Sequence, residues 1–563
     1  MRTPNLSALY RREFRGYDSA ALGQDLLAGV TVSAVALPLA LAFGVASGAT
    51  ASAGLITAIV AGIVIGLLSG APYQISGPTG AMSAVLLVLA GQYGLPGVWL
   101  AGLLSGVILL ALGLLRLGKL LSYIPSPVIT GFTAGISLVI AIGQVDNFMG
   151  IATPSATSSA LKLLHYFSGG FTPDGRAVAL GVMTMALMLL WPKRWQARIP
   201  SSLAALVLTL GVTAISGWNV PVVGDIPRTL LPAERLTFDA IPWANLPDMV
   251  VPAITVAVLG MVESLLCGAA AGKITGQKLD ADQELIAQGI GNMVLPFFGG
   301  VPATAAIART SVGIKSGGRT RIVGVVQSAV LIGTIFALSP IMSRIPLAAL
   351  AGVLMVTALR MNEWEAIGFM LKRRFGGAAA AFFITMGCTV AMDLSRAILV
   401  GVVVSAALFL KEISAMDVQV QSVDPDRLRD RGLITKGTCR RIKVAYLTGP
   451  LFFAAVDKLN DALSDLDHPH TLILSMRGVP LMDLCGVQAL NALHTRAEKE
   501  GFVLMIASVQ PQVLHVMEKG GLTERIGRDC IFWSADQAIV EAEEHGCDCA
   551  FLPPEEPVEE AAV

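Results

Sequence analysis

Ser76-Gly77-Pro78-Thr79-Gly80-Ala81-Met82 opens one apolar segment of this chain, and Gly299-Gly300-Val301-Pro302-Ala303-Thr304-Ala305-Ala306 opens another. Each begins with a Gly, Pro and Thr break and runs on, to residue 90 and to residue 315, for fewer than the roughly 20 apolar residues that cross a bilayer. One such break reads as a kinked span. Two in corresponding positions of two halves are the mark of an inverted-repeat transporter fold, with a site at the midplane where the two half-helix N-termini meet. Helix N-termini present unpaired N–H groups and a partial positive charge, so two facing one another form a site for an anion without a cluster of basic side chains.

The correspondence of the two breaks follows from the pattern around them. Apolar segments fall at 26–46, 53–70, 78–90, 97–115, 124–144, 176–192 and 200–217, then at 248–272, 283–299, 303–315, 321–343, 346–361, 376–392 and 394–412. That predicts fourteen spans in two sets of seven, with each broken segment third in its set. The composition agrees: 54% of the 563 residues are hydrophobic and 14% charged, with a mean hydropathy of +0.69, against about one quarter charged in soluble domains. Short inner loops collect Lys and Arg. With the N-terminus inside, Arg116 and Lys119, Lys193, Arg194 and Arg198, Lys273 and Lys278, Lys315, Arg319 and Arg321, and Lys372, Arg373 and Arg374 all fall on the inner face. The longest outer loop, 218–247, balances Arg228 and Arg235 against Asp225, Glu234 and Asp239. Both termini are therefore expected in the cytoplasm, and the Arg-rich start is read as preceding a retained span. Forty basic and forty acidic residues leave no net charge, and nothing marks a nucleic-acid binder.

Ionisable groups inside spans are functional candidates. Glu263 lies mid-span and needs a partner or a proton, which makes it the expected proton-coupling residue. Arg309, within the second half-helix, has three readings: attraction of the anion, neutralisation of Glu263, or snorkelling toward Lys315. His165 reads as surface, while Asp146 and Asp393 sit at span ends. Pro38 should bend the first span, which ends at Phe43, facing either a pocket or lipid. Cys267 and Cys388 read as packing residues, and Cys547-Asp548-Cys549 as an inert pair in an acidic tail. No metal-ligand spacing, catalytic Ser/His pair or phosphate loop appears, so neither an enzyme nor a bound cofactor is expected.

After residue 412 the composition turns polar. A linker over 413–441 is followed by apolar runs at 442–447, 471–476 and 502–508, read as strands. Amphipathic stretches at 454–465, 486–499 and 510–519 read as helices. A small α/β domain over 442–545 results, closed by an acidic tail at 546–563 that reads as disordered.

Nearly the whole chain resembles the SulP/SLC26 anion transporters. The resemblance is carried by Leu37-Pro38-Leu39-Ala40-Leu41-Ala42-Phe43-Gly44, by Ile75 to Gly80, by Asp282-Gln283-Glu284-Leu285-Ile286-Ala287-Gln288-Gly289-Ile290-Gly291-Asn292, and above all by Pro302 to Thr310 continuing through Lys315 to Thr320. It implies an α-helical membrane domain over 26–412, after a cytoplasmic segment 1–25, built as seven plus seven inverted spans in the UraA-like fold, followed by a STAS domain. It further implies that Phe43, Thr79, Gly80 and Ala81, with Ala306, Ile307 and Ala308, surround the anion, and that Arg309 is the basic residue behind it. Where some relatives have polar side chains this chain has Leu39 and Ala308, which shifts the holding of the anion onto backbone N–H groups. Glu263 stands where proton-coupled relatives have Glu. Sodium-coupled bicarbonate relatives have Asp there, and Thr in place of Cys267, whose thiol is a poor ligand for a hard cation. In the STAS-like domain Asp483 and Gly486 frame a phospho-switch-like loop, but Leu484 and Cys485 supply no hydroxyl to accept phosphate.

The expectation is a multi-pass inner-membrane symporter of sulfate, bicarbonate or a C4-dicarboxylate, driven by H+ and moving by an elevator-like mechanism. It is expected to be a homodimer, with cytoplasmic proteins docking on the STAS domain. Sodium-driven bicarbonate uptake and a membrane-anchored sensor acting through the STAS domain are the alternatives. Nucleobase permeases share the architecture, but the tail and the Arg309 segment speak against them.

Overall fold

The computed structural model describes residues 6–118, 125–153, 159–168, 172–196, 199–240, 246–392, 394–414, 416–423, 441–464, 466 and 469–544. Lys119, Arg198, Asp393, most of the expected linker (424–440) and the tail with Cys547 and Cys549 lie outside the described residues. The chain divides into two compact units, Met1–Ser405 and Ala406–Val563.

The first unit runs α1 (Leu6–Glu13), α2 (Ser19–Ala46), α3 (Ala51–Leu68), β1 (Ser76–Gly77), α4 (Gly80–Leu114), α5 (Ser126–Gly143), α6 (Val145–Met149), α7 (Ser159–Ser168), α8 (Gly175–Leu190), α9 (Lys193–Gln196) and α10 (Ser201–Ser216). It continues through α11 (Leu246–Thr275), α12 (Ala281–Val294), β2 (Thr304–Ala305), α13 (Ile307–Lys315), α14 (Ile322–Met342), α15 (Leu347–Met361), α16 (Trp364–Lys372) and α17 (Gly376–Ala391), and α18 (Leu394–Ile413) crosses the boundary between the units. All fourteen expected segments contain helix. Among the described residues, six helical segments are long and apolar enough on their own to cross a bilayer: α2, α3, α4, α5 with α6, α11 and α14.

The element order repeats. Two helices, a two-residue strand and a new helix start occur as α2, α3, β1 and α4, and again as α11, α12, β2 and α13. The repeats interlock, since α4 packs on both α11 and α12 while α14 packs on α2 and α3. A second group, α5, α8, α10, α15 and α17, packs mainly among its own members. His165 is half-buried on α7 rather than plainly at the surface.

Two boundaries differ from expectation. The third and fourth segments run on as α4, broken only at Gly94, whose φ of 67° is open to glycine and which precedes the helix-starting Pro96. The tenth begins at Ile307, not at residue 303, because Val301, Ala303 and Ala305 are bonded by side chains described below and Thr304–Ala305 forms β2.

The second unit is a five-stranded sheet in the order β3 (Asp417–Ser422), β4 (Ile442–Thr448), β5 (Thr471–Gly478), β6 (Val503–Ala507) and β7 (Ile531–Phe532), parallel except for β3. β3 lies in the stretch expected to be linker, so the sheet begins before residue 442. Its alternation explains why: Val418 and Val420 pack inward on the core while their neighbours are exposed. Helix Leu484–Glu500 and its neighbours cover one face through Leu490 and Met517, and helix Ala535–Glu544 covers the other through Ala538 and Ile539. Asp483 caps helix Leu484–Glu500, accepting from Gly486 N at 2.9 Å and Phe453 N at 3.1 Å. Leu484, in the switch-like loop, is exposed.

Candidate functional site

The two broken stretches meet. β1 and β2 pair antiparallel, Ser76 opposite Ala305 and Gly77 opposite Thr304, as a two-fold relation between the repeats requires. Each strand feeds a helix N-terminus, α4 after Thr79 and α13 after Ala306, and neither has a side-chain cap. The N–H groups of Gly80, Ala81 and Met82, and of Ile307, Ala308 and Arg309, have no protein acceptor among the described residues. Six free donors thus flank one short sheet, a constellation suited to an anion.

Unwound backbone at membrane depth must find partners in protein, and neighbouring helices provide them. Asn292 of α12 acts as a strand edge for Ala303, accepting its N–H at 2.7 Å and donating to its carbonyl at 3.0 Å. Thr57 of α3 accepts from Val301 N at 2.8 Å while its own proton goes to Ala53 O at 2.7 Å. Ser264 Oγ accepts from Ala305 N at 3.2 Å, and Gln288 Nε2 donates to Ser76 Oγ at 3.0 Å. Asn292→Ala leaves two buried backbone groups unpaired and is expected to destabilise the protein by about 2–4 kcal/mol, read as a fall in the detergent-solubilised unfolding midpoint.

Glu263 sits between the two breaks. Its Oε2 accepts from Thr79 Oγ1 at 2.7 Å and from Thr304 Oγ1 at 2.6 Å, and the two hydroxyl oxygens are 3.0 Å apart. The two hydroxyls carry one proton each, and both can be donated to the same carboxyl oxygen, which draws the two threonines together. The other carboxyl oxygen, Oε1, accepts nothing from the described residues, and Glu263 is only half-buried.

Arg309 does not snorkel. It is 1% exposed, and its Nη2 donates to Pro78 O at 2.5 Å, tying the second half-helix to the turn that starts the first. Its Nη1 is buried without a partner among the described residues. A Cβ at Gly77 would fall on this guanidinium, so glycine is what lets β1 lie against the cation. No direct ion pair joins Arg309 to Glu263 among the described residues.

Phe43 faces protein, not lipid. It is buried, and its Cε1 would lie 3.2 Å from a Cβ at Gly80, so its ring covers the start of α4. Thr79, Gly80 and Ala81 are buried, Ala306 is half-buried, and Ile307 and Ala308 are exposed. One N-terminus is therefore covered and the other open. Beyond Phe43 and Ser83 a cavity of about 410 Å³ extends past Gln144 to Thr153 and Lys162. Lys162 is paired with Asp146 at 2.9 Å. Cys267, one turn after Glu263, bonds to Thr310 Oγ1 at 3.3 Å.

Thr304, Asn292, Ser264 and Thr57 were not singled out from sequence as site residues. The available signal was a polar side chain within an apolar run, which by itself does not name its partner.

Residues 22–385 match the sulfate permease family and residues 435–538 match the STAS domain. This chain belongs to the sulfate permease family. Among its relatives, the putative sulfate transporter YvdB of Bacillus subtilis (strain 168) is 33% identical over 93% of this chain and 98% of its own length. The bicarbonate transporter BicA of Picosynechococcus sp. is 31% identical over 92% of this permease and 94% of its own length. Among solved structures, the overall structure of SLC26A9 covers 96% of this permease and 92% of that chain with a TM-score of 0.81 at 20% identity, a likeness of fold. The transmembrane domain of a cyanobacterial BicA covers 69% of this permease and 97% of that chain with a TM-score of 0.61 at 30% identity. The permease is thus a multi-pass membrane protein of the anion-transporter class, with the UraA-like inverted-repeat fold and a C-terminal STAS domain.

Proposed function

We propose that this member of the sulfate permease family is a secondary active transporter that moves a small oxyanion, of the class of sulfate, bicarbonate or a C4-dicarboxylate, together with protons across the inner membrane. The observation that carries the reading is the hydroxyl pair on Glu263. Thr79 belongs to the first half-helix and Thr304 to the second, so the proton on Glu263 and the relative position of the two N-termini depend on one another. The anion is held by the free N–H groups of Gly80, Ala81, Ile307 and Ala308 under Phe43, with Arg309 behind. The packing of α2–α4 with α11–α14 as one group supports an elevator-like movement of that group with its cargo, within a homodimer whose termini are cytoplasmic.

A sodium-driven bicarbonate transporter is the second reading, favoured by the likeness to BicA. Against it, Cys267 presents sulfur, bonded to Thr310, where a hard cation needs oxygen. Proteoliposomes loaded at inside-neutral pH test both. An inward proton gradient with labelled sulfate, bicarbonate or succinate should drive accumulation of one of them, and a Na+ gradient alone should not. Accumulation on Na+ alone overturns proton symport in favour of the second reading.

A further inference from the structure

A cavity of about 330 Å³ lies at the N-terminal end of the first unit, away from Phe43 and the half-helix N-termini. It is walled by α1, by the 70–73 turn that leads into β1, by the 275–278 turn after α11, and by the strap after α13. Four cations line it, Arg12, Lys278, Arg319 and Arg321, against a single carboxylate, Glu13.

Glu13 is already taken. It pairs with Arg321 at 2.7 Å, both side chains being nearly inaccessible, and the same guanidinium lies 4.1 Å from the centre of the Tyr10 ring. That clamp seats α1 and places Arg12 on the cavity. The nearby carboxylates are saturated too. Asp25 accepts from Arg319 N at 2.7 Å and from Thr320 Oγ1 and Tyr17 OH, and Glu284 accepts from Ser69 Oγ, Gly70 N and Gln288. Asp25 thereby pins the strap by its backbone and leaves the Arg319 side chain to the cavity. Arg12, Lys278 and Arg319 are exposed and have no carboxylate partner among the described residues.

Three unneutralised cations held around one hollow repel one another, which is tolerable when an anion joins them. The volume is in the range of small-molecule sites, about 300–1,000 Å³, larger than a bare inorganic anion requires. Leu9 and Pro72 add an apolar wall. The cavity also lies at the ends of the apolar helices α3 and α11, the level at which lipid headgroups reside.

We propose that this cavity is a binding site for an organic phosphate, the phosphate held by Arg12, Lys278 and Arg319 and the glycerol-like stem resting on Leu9 and Pro72. It is separate from the transport site, and its binding is measured without any anion flux. The phosphate is either a phospholipid headgroup or a soluble ester. Because the 70–73 turn runs into β1 and the strap leaves α13, an occupant touches the chain flanking both half-helices.

The test uses full-length protein in phosphatidylcholine nanodiscs, with phosphatidylglycerol and glycerol 3-phosphate as probes and bound probe quantified by native mass spectrometry. Lys278→Gln and Arg319→Gln should each weaken binding about fivefold, and the pair about 25-fold, at the usual worth of one interfacial cation. Lys278→Arg with Arg319→Lys should retain it, which separates lost charge from lost fold. Binding of phosphatidylglycerol alone assigns a headgroup site, and displacement by glycerol 3-phosphate assigns a soluble ester. Binding of neither probe, or binding indifferent to the Gln pair, overturns the proposal.

Discussion

Glu263→Gln is expected to abolish pH-driven accumulation while leaving anion exchange intact. Glutamine is a neutral isostere of the protonated side chain, and it can still bond Thr79 and Thr304, so the two half-helices keep their relation. What it loses is the ability to release a proton. Proton and anion binding are linked reciprocally, and coupling of this kind changes affinity by about 5- to 150-fold. Accumulation under an inward proton gradient should therefore fall by on the order of 100-fold, to the level of downhill flux. Counterflow of labelled against unlabelled anion, which needs no net proton movement, should persist and shows that the variant is folded. If pH-driven accumulation survives unchanged, Glu263 is not the proton carrier and its hydroxyl partners are structural.

Arg309→Met is expected to raise the KM for the anion by about 30-fold, the equivalent of roughly 2 kcal/mol for a charge-assisted interaction. Methionine keeps much of the buried volume but removes the charge whose Nη1 is unpaired and the bond to Pro78 O. Arg309→Lys restores the charge without the planar fork and should recover part of the affinity. A merely structural role for Arg309 predicts a different pattern: a lower unfolding midpoint in both variants with the KM unmoved.

Much of the membrane domain was legible because lipid leaves few options. Long apolar runs reveal helices, and Gly and Pro at Pro78 and Pro302 reveal where backbone leaves the helix. The start of α13 was misplaced by four residues because Ala303, Thr304 and Ala305 are as apolar and compact as a helix requires. Their pairing with β1 and the partners held out by Asn292 and Ser264 keep them extended. In the second unit β3 reads as linker by composition, although Asp417-Val418-Gln419-Val420-Gln421-Ser422 alternates as an edge strand does. Its few apolar residues were outweighed by the polar stretch that follows.

Glu263 and Arg309 could be marked from sequence as charges that lipid does not tolerate unpaired. The sequence could not choose among the three readings of Arg309. That choice is spatial, since Pro78 lies 231 positions away along the chain. The sequence alone determined that two interrupted helices occupy equivalent places in two halves, because hydrophobic length and helix breaking are local properties. Only the tertiary structure decided that their strands pair, that one hydroxyl from each meets Glu263, and that Arg309 turns back under Gly77. Apart from Thr304 on Glu263, those contacts join residues of opposite halves, and a local pattern holds no record of which distant side chain satisfies a buried polar group.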